Sequence, residues 1–465
     1  MDQPITKAYR DITRGSTTKS PPGPRGHCFL GNAPYLLRNP FLPFLTGLVH
    51  NYGDVVLTYF VFTKGYLINH PDDIKHVLQE NARNYNKELS PYTILKPFLG
   101  KGLITNNGDS WLQQRRLIQP AFHRHRLAAF GTLITETVLL MFEQWDRCAA
   151  TGQPLDMATE MMRVTLRIVG LALFSIDLSQ ETEILGQTFT TMSKLISQLF
   201  YFPPFLLSLP TSRKRRMQAT IHKIDQIVYR IIAERRREAF DREDLLSLLL
   251  STQDEETGER MTDQQLRDEI ITLLFAGHET TANALSWTWY LLSQYPNVLN
   301  CLQQEIDSVL GGQLPTVAHL PLLPYSRMVL DEALRLYPPV YILNRHAVEA
   351  DELGGYYIPA NSSVFISPYT THRHPAFWEH PGDFDPGRFS PERSIRRHPY
   401  AYIPFIGGPR QCIGKHLALM EAQLVLVTVA QRYHFRLLSG QQIEPKTLMT
   451  LRPLDGLLMI LQKRT

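Results

Sequence analysis

The spacing of apolar residues predicts a mainly helical protein. Apolar positions recur at helical spacing in several stretches: Gly131 to Asp177, Ser212 to Arg237, Pro324 to Tyr337 and Leu417 to Val429. The longest such stretch runs from Asp263 to about Tyr295, begins at a capping box of Thr262 and Gln265, and ends before Pro296. At ~1.5 Å per residue it spans roughly 50 Å, enough to cross the whole molecule. We therefore expect a fold organised around one long central helix.

Shorter runs of β-branched and aromatic residues predict a small β-rich lobe. Val55 to Phe62 and Tyr66 to Ile68 are typical of one hairpin. Tyr356 to Pro359 and Ser363 to Ile366 predict a second hairpin. The stretch Tyr85 to Leu103 mixes aromatic residues, proline and glycine without a clean period, so we expect a long functional loop there.

The apolar segment from Leu195 to Pro210 is compatible with three interpretations. Pro203 and Pro204 prevent a regular helix through it, so we expect a loop or short turns. The segment could be part of the core, a lid over a substrate entrance, or a surface that touches a membrane.

Composition places the chain among globular proteins. Its 465 residues are 43% hydrophobic and 20% charged, and the net charge of +4 is mild. No nucleic-acid-binding pattern is present, so we expect no nucleic-acid partner. Residues 1–20 are polar and predict a loose tail, and we expect residues 21–465 to form a single domain.

The N-terminal sequence and the pattern of cysteines indicate in which cellular compartment the protein is found. Met1 to Ser20 contains no apolar run long enough for a signal peptide or a spanning helix. Cys28, Cys148, Cys301 and Cys412 are scattered without C-x-x-C pairs, which argues against a disulfide framework or a zinc ribbon. We therefore expect a soluble, cytoplasmic protein without a transmembrane anchor.

Cys412 is the cysteine with the surroundings of a metal ligand. It follows Gly407, Gly408 and Pro409 and precedes an apolar stretch that predicts a helix. Unpaired backbone N–H groups and the helix dipole at such a helix entrance favour thiolate over thiol. An ordinary buried cysteine at a helix start is the alternative, and for a lone cysteine it would be preferred.

The central helix carries an unexpected polar interruption, Ala276-Gly-His-Glu-Thr-Thr281, inside an apolar face. Burying a glutamate and threonines costs free energy unless they are paired or used. A zinc-protease H-E-x-x-H site fails, because Ala282 and Asn283 supply no second histidine. We expect His278 to lie on the helix surface or to contact a neighbouring helix, rather than to bind a metal. His372 and His374 lack a third ligand in the sequence, so a structural turn before Pro375 is favoured over a metal site.

Five residues around the cysteine have a specific spacing. Phe405, Gly408, Arg410, Cys412 and Gly414 together resemble the haem-ligand loop of the cytochrome P-450 superfamily. Four further elements of that family occur in family order: Trp111 with Arg115, Ala276-Gly-His-Glu-Thr280, Glu332 with Arg335, and a later segment that contains Arg388. By themselves these could be a core tryptophan, a helix interruption and common surface pairs.

The resemblance extends over Pro21 to Leu461 and has one departure. Ile406 stands where many family members have glycine, and we expect it to alter packing under the cofactor ring. The middle of the chain is most similar to soluble bacterial members related to fatty-acid and terpene hydroxylases. The implied fold is mainly α with a small β-rich lobe, in which haem lies between the central helix and the cysteine loop.

The resemblance implies haem b as the cofactor, with Cys412 as the axial ligand of the iron. It assigns Trp111 and Arg115 to one propionate, Arg345 to the other, and Glu279 and Thr280 to an acid–alcohol catalytic pair. Glu332, Arg335 and Arg388 would form a buried ion network that supports the pocket. Further cofactor-binding residues implied are Phe405, Gly408, Arg410, Gly414, Ala276 and Gly277.

The implied function is a monooxygenase that inserts one atom of dioxygen into a lipophilic small molecule, such as a fatty acid or a terpenoid. NAD(P)H-derived electrons would arrive from a separate ferredoxin or flavodoxin with its reductase. The expected docking residues are Arg116, Arg124, Arg126, Lys415 and Arg432. The expected substrate contacts are Tyr92, Leu95, Phe98, Phe200, Phe202, Ala276, Val340, Ile342 and Met449. A peroxide-using peroxygenase and a non-catalytic haem-based sensor remain alternatives.

Overall fold

The computed structural model is mainly helical, as the apolar spacing predicts. It describes residues 19–26, 31–36, 39–60, 63–88, 94–123, 127–178, 182–199, 211–237, 242, 244–251, 258 and 260–464. The α-helices are α1 (Ala33–Leu36), α2 (Phe41–Tyr52), α3 (Pro71–Lys75), α4 (Lys96–Leu99), α5 (Gly108–Ile118), α6 (Phe130–Leu139), α7 (Phe142–Thr151), α8 (Met157–Phe174), α9 (Thr182–Leu199), α10 (Ser212–Arg237), α11 (Leu245–Ser251), α12 (Asp263–Gln294), α13 (Pro296–Leu310), α14 (Pro324–Leu336), α15 (Pro368–Thr371), α16 (Pro391–Ser394) and α17 (Lys415–Arg432).

The strands form small sheets beside the helices. They are β1 (Val55–Phe60), β2 (Thr63–Ile68), β3 (Tyr85–Asn86), β4 (Leu155–Asp156), β5 (Leu343–Ala347), β6 (Asp351–Leu353), β7 (Tyr356–Ile358), β8 (Ser362–Ile366), β9 (Tyr433–Leu437), β10 (Pro445–Thr447), β11 (Leu451–Pro453) and β12 (Leu458–Lys463). One sheet has the order β1-β2-β8-β5-β3, with β2 and β8 parallel; β4-β12-β9, β6-β7 and β10-β11 form the others.

The first predicted hairpin is confirmed and the second is wrong. β1 and β2 pair antiparallel. β7, however, pairs with β6 across Gly354 and Gly355, while β8 lies between β2 and β5. Both glycines have positive φ, and two such residues make the tight turn that antiparallel neighbours require. The glycine pair therefore identifies the true hairpin, and the partners of β8 are set by contacts that are distant in sequence.

The central helix α12 begins at the expected capping box, in which Thr262 and Gln265 bond each other's backbone N–H groups. It runs for 32 residues, and Pro296 directly starts α13. Helices α8, α10, α14 and α17 contact it, and Trp287 and Trp289 are fully buried along it. Among the described residues, no helix has the length and apolar composition needed to cross a membrane.

The buried ion network is present beside the cysteine loop. Arg335 donates to both carboxylate oxygens of Glu332 at 2.6 and 2.8 Å, and Arg388 donates to the same carboxylate at 3.2 Å. Glu332 and Arg335 are completely buried. His372 joins this network to the loop, because its ring contacts the Arg335 carbonyl at 3.3 Å and accepts the Ile403 N–H at 2.8 Å. The histidine is part of a structural turn, as the sequence favours.

Candidate active site

A cavity of about 580 Å³ lies between the central helix and the loop that precedes α17. The α12 wall presents small and hydroxyl-bearing residues: Ala276, Gly277, Thr280, Thr281 and Ala284. The opposite wall consists of Phe405, Ile406, Arg410, Cys412 and Gly414 with the first turns of α17. The structure thus places the cysteine and the polar interruption of the helix on facing walls of one cavity.

The cysteine loop is held by its backbone. Gly408 has φ of +67°, and a Cβ there would lie 1.7 Å from the Leu78 carbonyl oxygen, so only glycine fits. The Cys412 N–H donates to the Phe405 carbonyl at 3.0 Å. Ile406 has φ of +62°, which is a strained conformation for a β-branched residue and one that glycine would adopt without strain. Gly408 itself does not line the cavity; it allows the loop to pack closely against the backbone at Leu78.

The Cys412 side chain faces the cavity. Cys412 lies deep in the protein, but part of its surface is accessible because it forms part of the cavity wall. Burial raises the pKa of the thiol, while the Gly414 N–H and the charges of Arg115 and Lys415 oppose this. The helix entrance was expected to favour the thiolate, but without a metal the effect of burial is the larger one. A metal ion that binds the sulfur would reverse this balance.

Cationic side chains gather at one edge of the cavity. Trp111, Arg115 and Arg410 lie on its wall, and the Arg410 guanidinium lies 4.1 Å from the centre of the Trp111 ring. Lys87 lies on the wall as well, and burial and the charges of Arg345 and Arg410 hold its pKa well below the usual range. Arg345 is buried behind this edge and does not line the cavity. A bound anionic group would relieve the mutual repulsion of these cations.

This arrangement fits the haem that the sequence resemblance implies. A sulfur donor stands on one wall, small residues stand opposite, and the cations gather at an edge where the carboxylates of a planar dianionic cofactor would need them. Across the described residues, no group of His, Cys, Asp and Glu side chains forms a competing metal site. The sulfur donor, the positive charge at the cavity edge and the space between the two walls therefore all fit a haem.

Lys87 and Glu421 are cavity residues that sequence reasoning missed. Lys87 follows β3 within the stretch from Tyr85 to Leu103. The lack of periodicity in that stretch predicts a functional loop, and this was the one signal that could have pointed to Lys87. Glu421 lies on α17 inside an apolar run, and burial raises the pKa of its carboxyl well above the usual range. Its Oε1 atom has no partner among the described residues, and both this and burial favour the neutral carboxyl over the carboxylate.

The polar interruption of the central helix divides between the cavity and the protein interior. The Thr280 hydroxyl is on the cavity wall and donates to the Ala276 carbonyl at 2.8 Å. Glu279 is buried and is not on that wall; its Oε1 accepts from Thr450 at 2.6 Å and from Arg452. His278 lies against Phe189 of α9, so of its two expected positions the contact with a neighbouring helix is the one observed.

The central helix is continuous through this segment. Although its polar segment contains Gly277, α12 is uninterrupted from Asp263 to Gln294. A Cβ at Gly277 would lie 3.1 Å from a methyl group of Val169 on α8, so its small size also permits close packing of two helices. The space beside the helix thus comes from small side chains rather than from a break in the backbone.

The expected substrate contacts fall into three groups. Leu95, Ala276, Val340, Ile342 and Met449 line the cavity. Phe98 does not, because its ring packs edge-on against Phe275 and Phe189 in the core. Tyr92, Phe200 and Phe202, together with most of the Leu195 to Pro210 segment and the expected docking residues Arg124 and Arg126, lie outside the described residues.

Comparisons with known proteins agree with this geometry. The family model of cytochrome P450 matches residues 21–460. The chain is 37% identical to cyclooctatin synthase of Streptomyces melanosporofaciens, over 97% of this chain and 95% of that protein. It is 34% identical to cyclooctat-9-en-7-ol 5-monooxygenase of the same species, over 94% of each, and 32% identical to pentalenene oxygenase of Streptomyces avermitilis, over 90% of this chain and 92% of that protein.

A solved structure with the same fold is the cytochrome P450DA heme domain. It is 28% identical, has a TM-score of 0.87, and is matched over 96% of this chain and 98% of that one. The family model spans most of the chain, and the cysteine loop and the facing helix occupy opposite walls of one cavity. The chain therefore belongs to the cytochrome P450 family and is an oxidoreductase of the monooxygenase type.

Proposed function

We propose that this protein is a terpenoid hydroxylase, which inserts one atom of dioxygen into a lipophilic terpenoid and reduces the other to water. The observation that carries the proposal is the cavity that brings Cys412 and Thr280 to facing walls. Relatives named for cyclooctatin, cyclooctat-9-en-7-ol and pentalenene support a terpenoid over other lipophilic substrates. The apolar residues Leu95, Val340 and Met449 on the wall agree with such a substrate.

Each wall has its own task in this proposal. Cys412 would hold the haem iron through its sulfur, and Trp111, Arg115, Arg410 and Lys87 on the cavity wall would bind the propionates, with the charge of the buried Arg345 acting from behind them. Haem bound by a thiolate supplies the oxygen-activating chemistry. The apolar side chains exclude water and orient the substrate C–H bond. Thr280 and Glu279 hold and deliver the protons that water formation consumes.

Electrons reach the cofactor from a separate ferredoxin or flavodoxin in this proposal. Arg116 is exposed on α5, and Lys415 opens α17 immediately after the cysteine loop. Arg432 lies ~26 Å along the axis of α17 from Lys415 and pairs with Asp146 at 2.6 Å, so its charge is balanced locally and lies farther from the cysteine loop than that of Lys415. Charge reversal at Arg116 or Lys415 is expected to slow reduction, whereas Arg432→Glu serves as the matched control.

The ligand assignment is tested with the full-length, haem-loaded protein. Wild type, reduced under carbon monoxide, is expected to show the thiolate-type Soret band. Cys412→Ser is expected to lose both that band and product formation, and Cys301→Ser, which changes an exposed thiol that does not line the cavity, is expected to keep both. A Cys412→Ser variant that retains the thiolate-type band would contradict the assignment.

The substrate class is tested with matched panels of cyclic terpenoids and fatty acids. Terpenoids are expected to shift the Soret band from low-spin to high-spin and, with a surrogate ferredoxin and reductase, to yield monohydroxylated products. Fatty-acid products with no terpenoid products would overturn the substrate class while leaving the reaction type intact.

A further inference from the structure

The buried acid of the central helix does not reach the cavity by itself. Glu279 is 1% exposed, and its Oε1 atom takes all of its described hydrogen bonds: from Thr450, from Arg452 and, at 3.5 Å, from Ser193. Its Oε2 atom is buried and has no partner in the described part of the chain. A carboxylate so placed needs an intermediary before it can deliver a proton to the cavity.

The neighbouring threonine does not supply that connection in this structure. Thr280 lines the cavity, but its hydroxyl is turned to the Ala276 carbonyl one helical turn back, at 2.8 Å. The described contacts contain no hydrogen bond between Thr280 and Glu279. Sequence adjacency on a helix points the two side chains in directions that differ by about 100°, so a direct bond is not expected from the geometry of the helix either.

Thr450 makes the connection. Its hydroxyl donates to Glu279 Oε1 at 2.6 Å and accepts from the Asn283 amide at 2.9 Å, and the residue lines the cavity. Ser193 and Arg452 also contact Glu279, but neither lines the cavity. Among the described residues, Thr450 alone both bonds Glu279 and lines the cavity. Asn283, one turn along α12 from Glu279, fixes the position of the hydroxyl from the helix side.

We propose that Thr450 is a proton-relay residue for the reaction, which rests on the function proposed above. When Glu279 is protonated, its O–H bond breaks towards Thr450 as the original O–H bond of Thr450 breaks towards an acceptor in the cavity. One proton is thereby moved, Thr450 regains its hydroxyl, and the Glu279 carboxylate is reprotonated from solvent. Arg452, whose side chain is 13% exposed, lies on the solvent side and positions the carboxylate.

The location of Thr450 also connects the relay to the substrate. Thr447, Leu448 and Met449 precede it and line the same cavity, and the Met449 N–H donates to Ser193, which in turn bonds Glu279. A substrate that contacts Met449 therefore touches the segment that holds the relay hydroxyl.

The test compares Thr450→Val, Thr450→Ser and Thr288→Val in the haem-loaded, full-length protein. Thr288 is the matched control, because it is a buried threonine of α12 that does not line the cavity and whose hydroxyl donates to the Ala284 carbonyl at 2.7 Å. The readouts are product formed and hydrogen peroxide released per NAD(P)H consumed, and the kinetic solvent isotope effect. Peroxide per NAD(P)H is also measured without substrate, so that the relay is tested even if terpenoids are not the substrates.

Thr450→Val is expected to lower product per NAD(P)H about tenfold, to raise the peroxide share and to change the solvent isotope effect, because it removes the hydroxyl but keeps the shape. Thr450→Ser is expected to restore these values to within about twofold, and Thr288→Val to leave them unchanged. Unchanged peroxide yield and isotope effect in Thr450→Val would overturn the relay. So would equal defects in Thr450→Val and Thr450→Ser, which would indicate a packing role only. Absence of terpenoid products from wild type, with the peroxide effect intact, would refute the substrate class alone.

Discussion

The two walls of the cavity are built in different ways. The cysteine wall is one continuous segment whose shape depends on backbone conformation and on the buried network of Glu332, Arg335 and Arg388 behind it. The facing wall brings α12 together with the segment around Thr450, which lies more than a hundred residues further along the chain. The first wall can therefore be recognised from a short motif, whereas the function of the second depends on contacts between remote side chains.

The largest expected loss of stability comes from removing the buried ion network that supports the cysteine wall. Glu332→Ala leaves Arg335 and Arg388 buried without their shared carboxylate, and we expect a loss of about 5 kcal/mol in the free energy of unfolding. Urea unfolding monitored by circular dichroism measures it. The control is Arg147→Ala, which removes an exposed pair with Glu143 and is expected to cost less than about 1 kcal/mol. Similar losses in the two variants would show that the network is not a scaffold.

A second variant tests the backbone of the same wall. Gly408→Ala places a methyl group against the Leu78 carbonyl and forces alanine into a left-handed conformation, so we expect a loss of about 3 kcal/mol and weaker haem retention. The control is Gly186→Ala, where a Cβ meets nothing within 4 Å. Haem retention after gel filtration equal to that of wild type would contradict this role.

His372 lies between the buried ion network and the cysteine loop, and it is expected to make the stability of the protein depend on pH. Burial, followed by the charges of Arg335 and Arg373, lowers the pKa of His372 to about 3. The unfolded chain binds a proton near pH 6.5, so stability is present above that pH and is lost as pH falls towards 3. We expect His372 to account for about 2 kcal/mol of the loss between pH 7 and pH 5. His372→Gln, although less stable at pH 7, is expected to show a shallower decline in urea titrations; an equal slope would exclude this origin.

The smallest expected effect lies at Ile406. Ile406→Gly removes the strain of a left-handed backbone conformation, which stabilises the folded protein by roughly 1 kcal/mol. It also removes side-chain packing against the β-rich lobe and raises the conformational entropy of the unfolded chain, and both of these changes destabilise the protein. We expect a net change in unfolding free energy of less than about 1 kcal/mol in either direction. A loss of several kcal/mol would show that packing under the cofactor, rather than backbone strain, determines the residue at this position.

Sequence reasoning was most successful where a pattern is local. The capping box of Thr262 and Gln265 and the apolar spacing after it located the central helix to within one residue at its end. It failed for β8, because a strand's partners depend on the whole sheet and not on its nearest neighbour. It also assigned Phe98 to the cavity, although helical position alone does not decide which of two packed faces a ring enters.

The amino-acid sequence by itself determined the mainly helical fold, the family resemblance and the identity of Cys412 as the candidate ligand, because each depends on residues close together along the chain. Only the tertiary structure decided that Lys87 joins the cationic edge and that Thr450, rather than Thr280, bonds Glu279. These contacts join residues separated by long stretches of chain. Folding brings them within hydrogen-bond distance, and no local pattern records which remote side chains will meet.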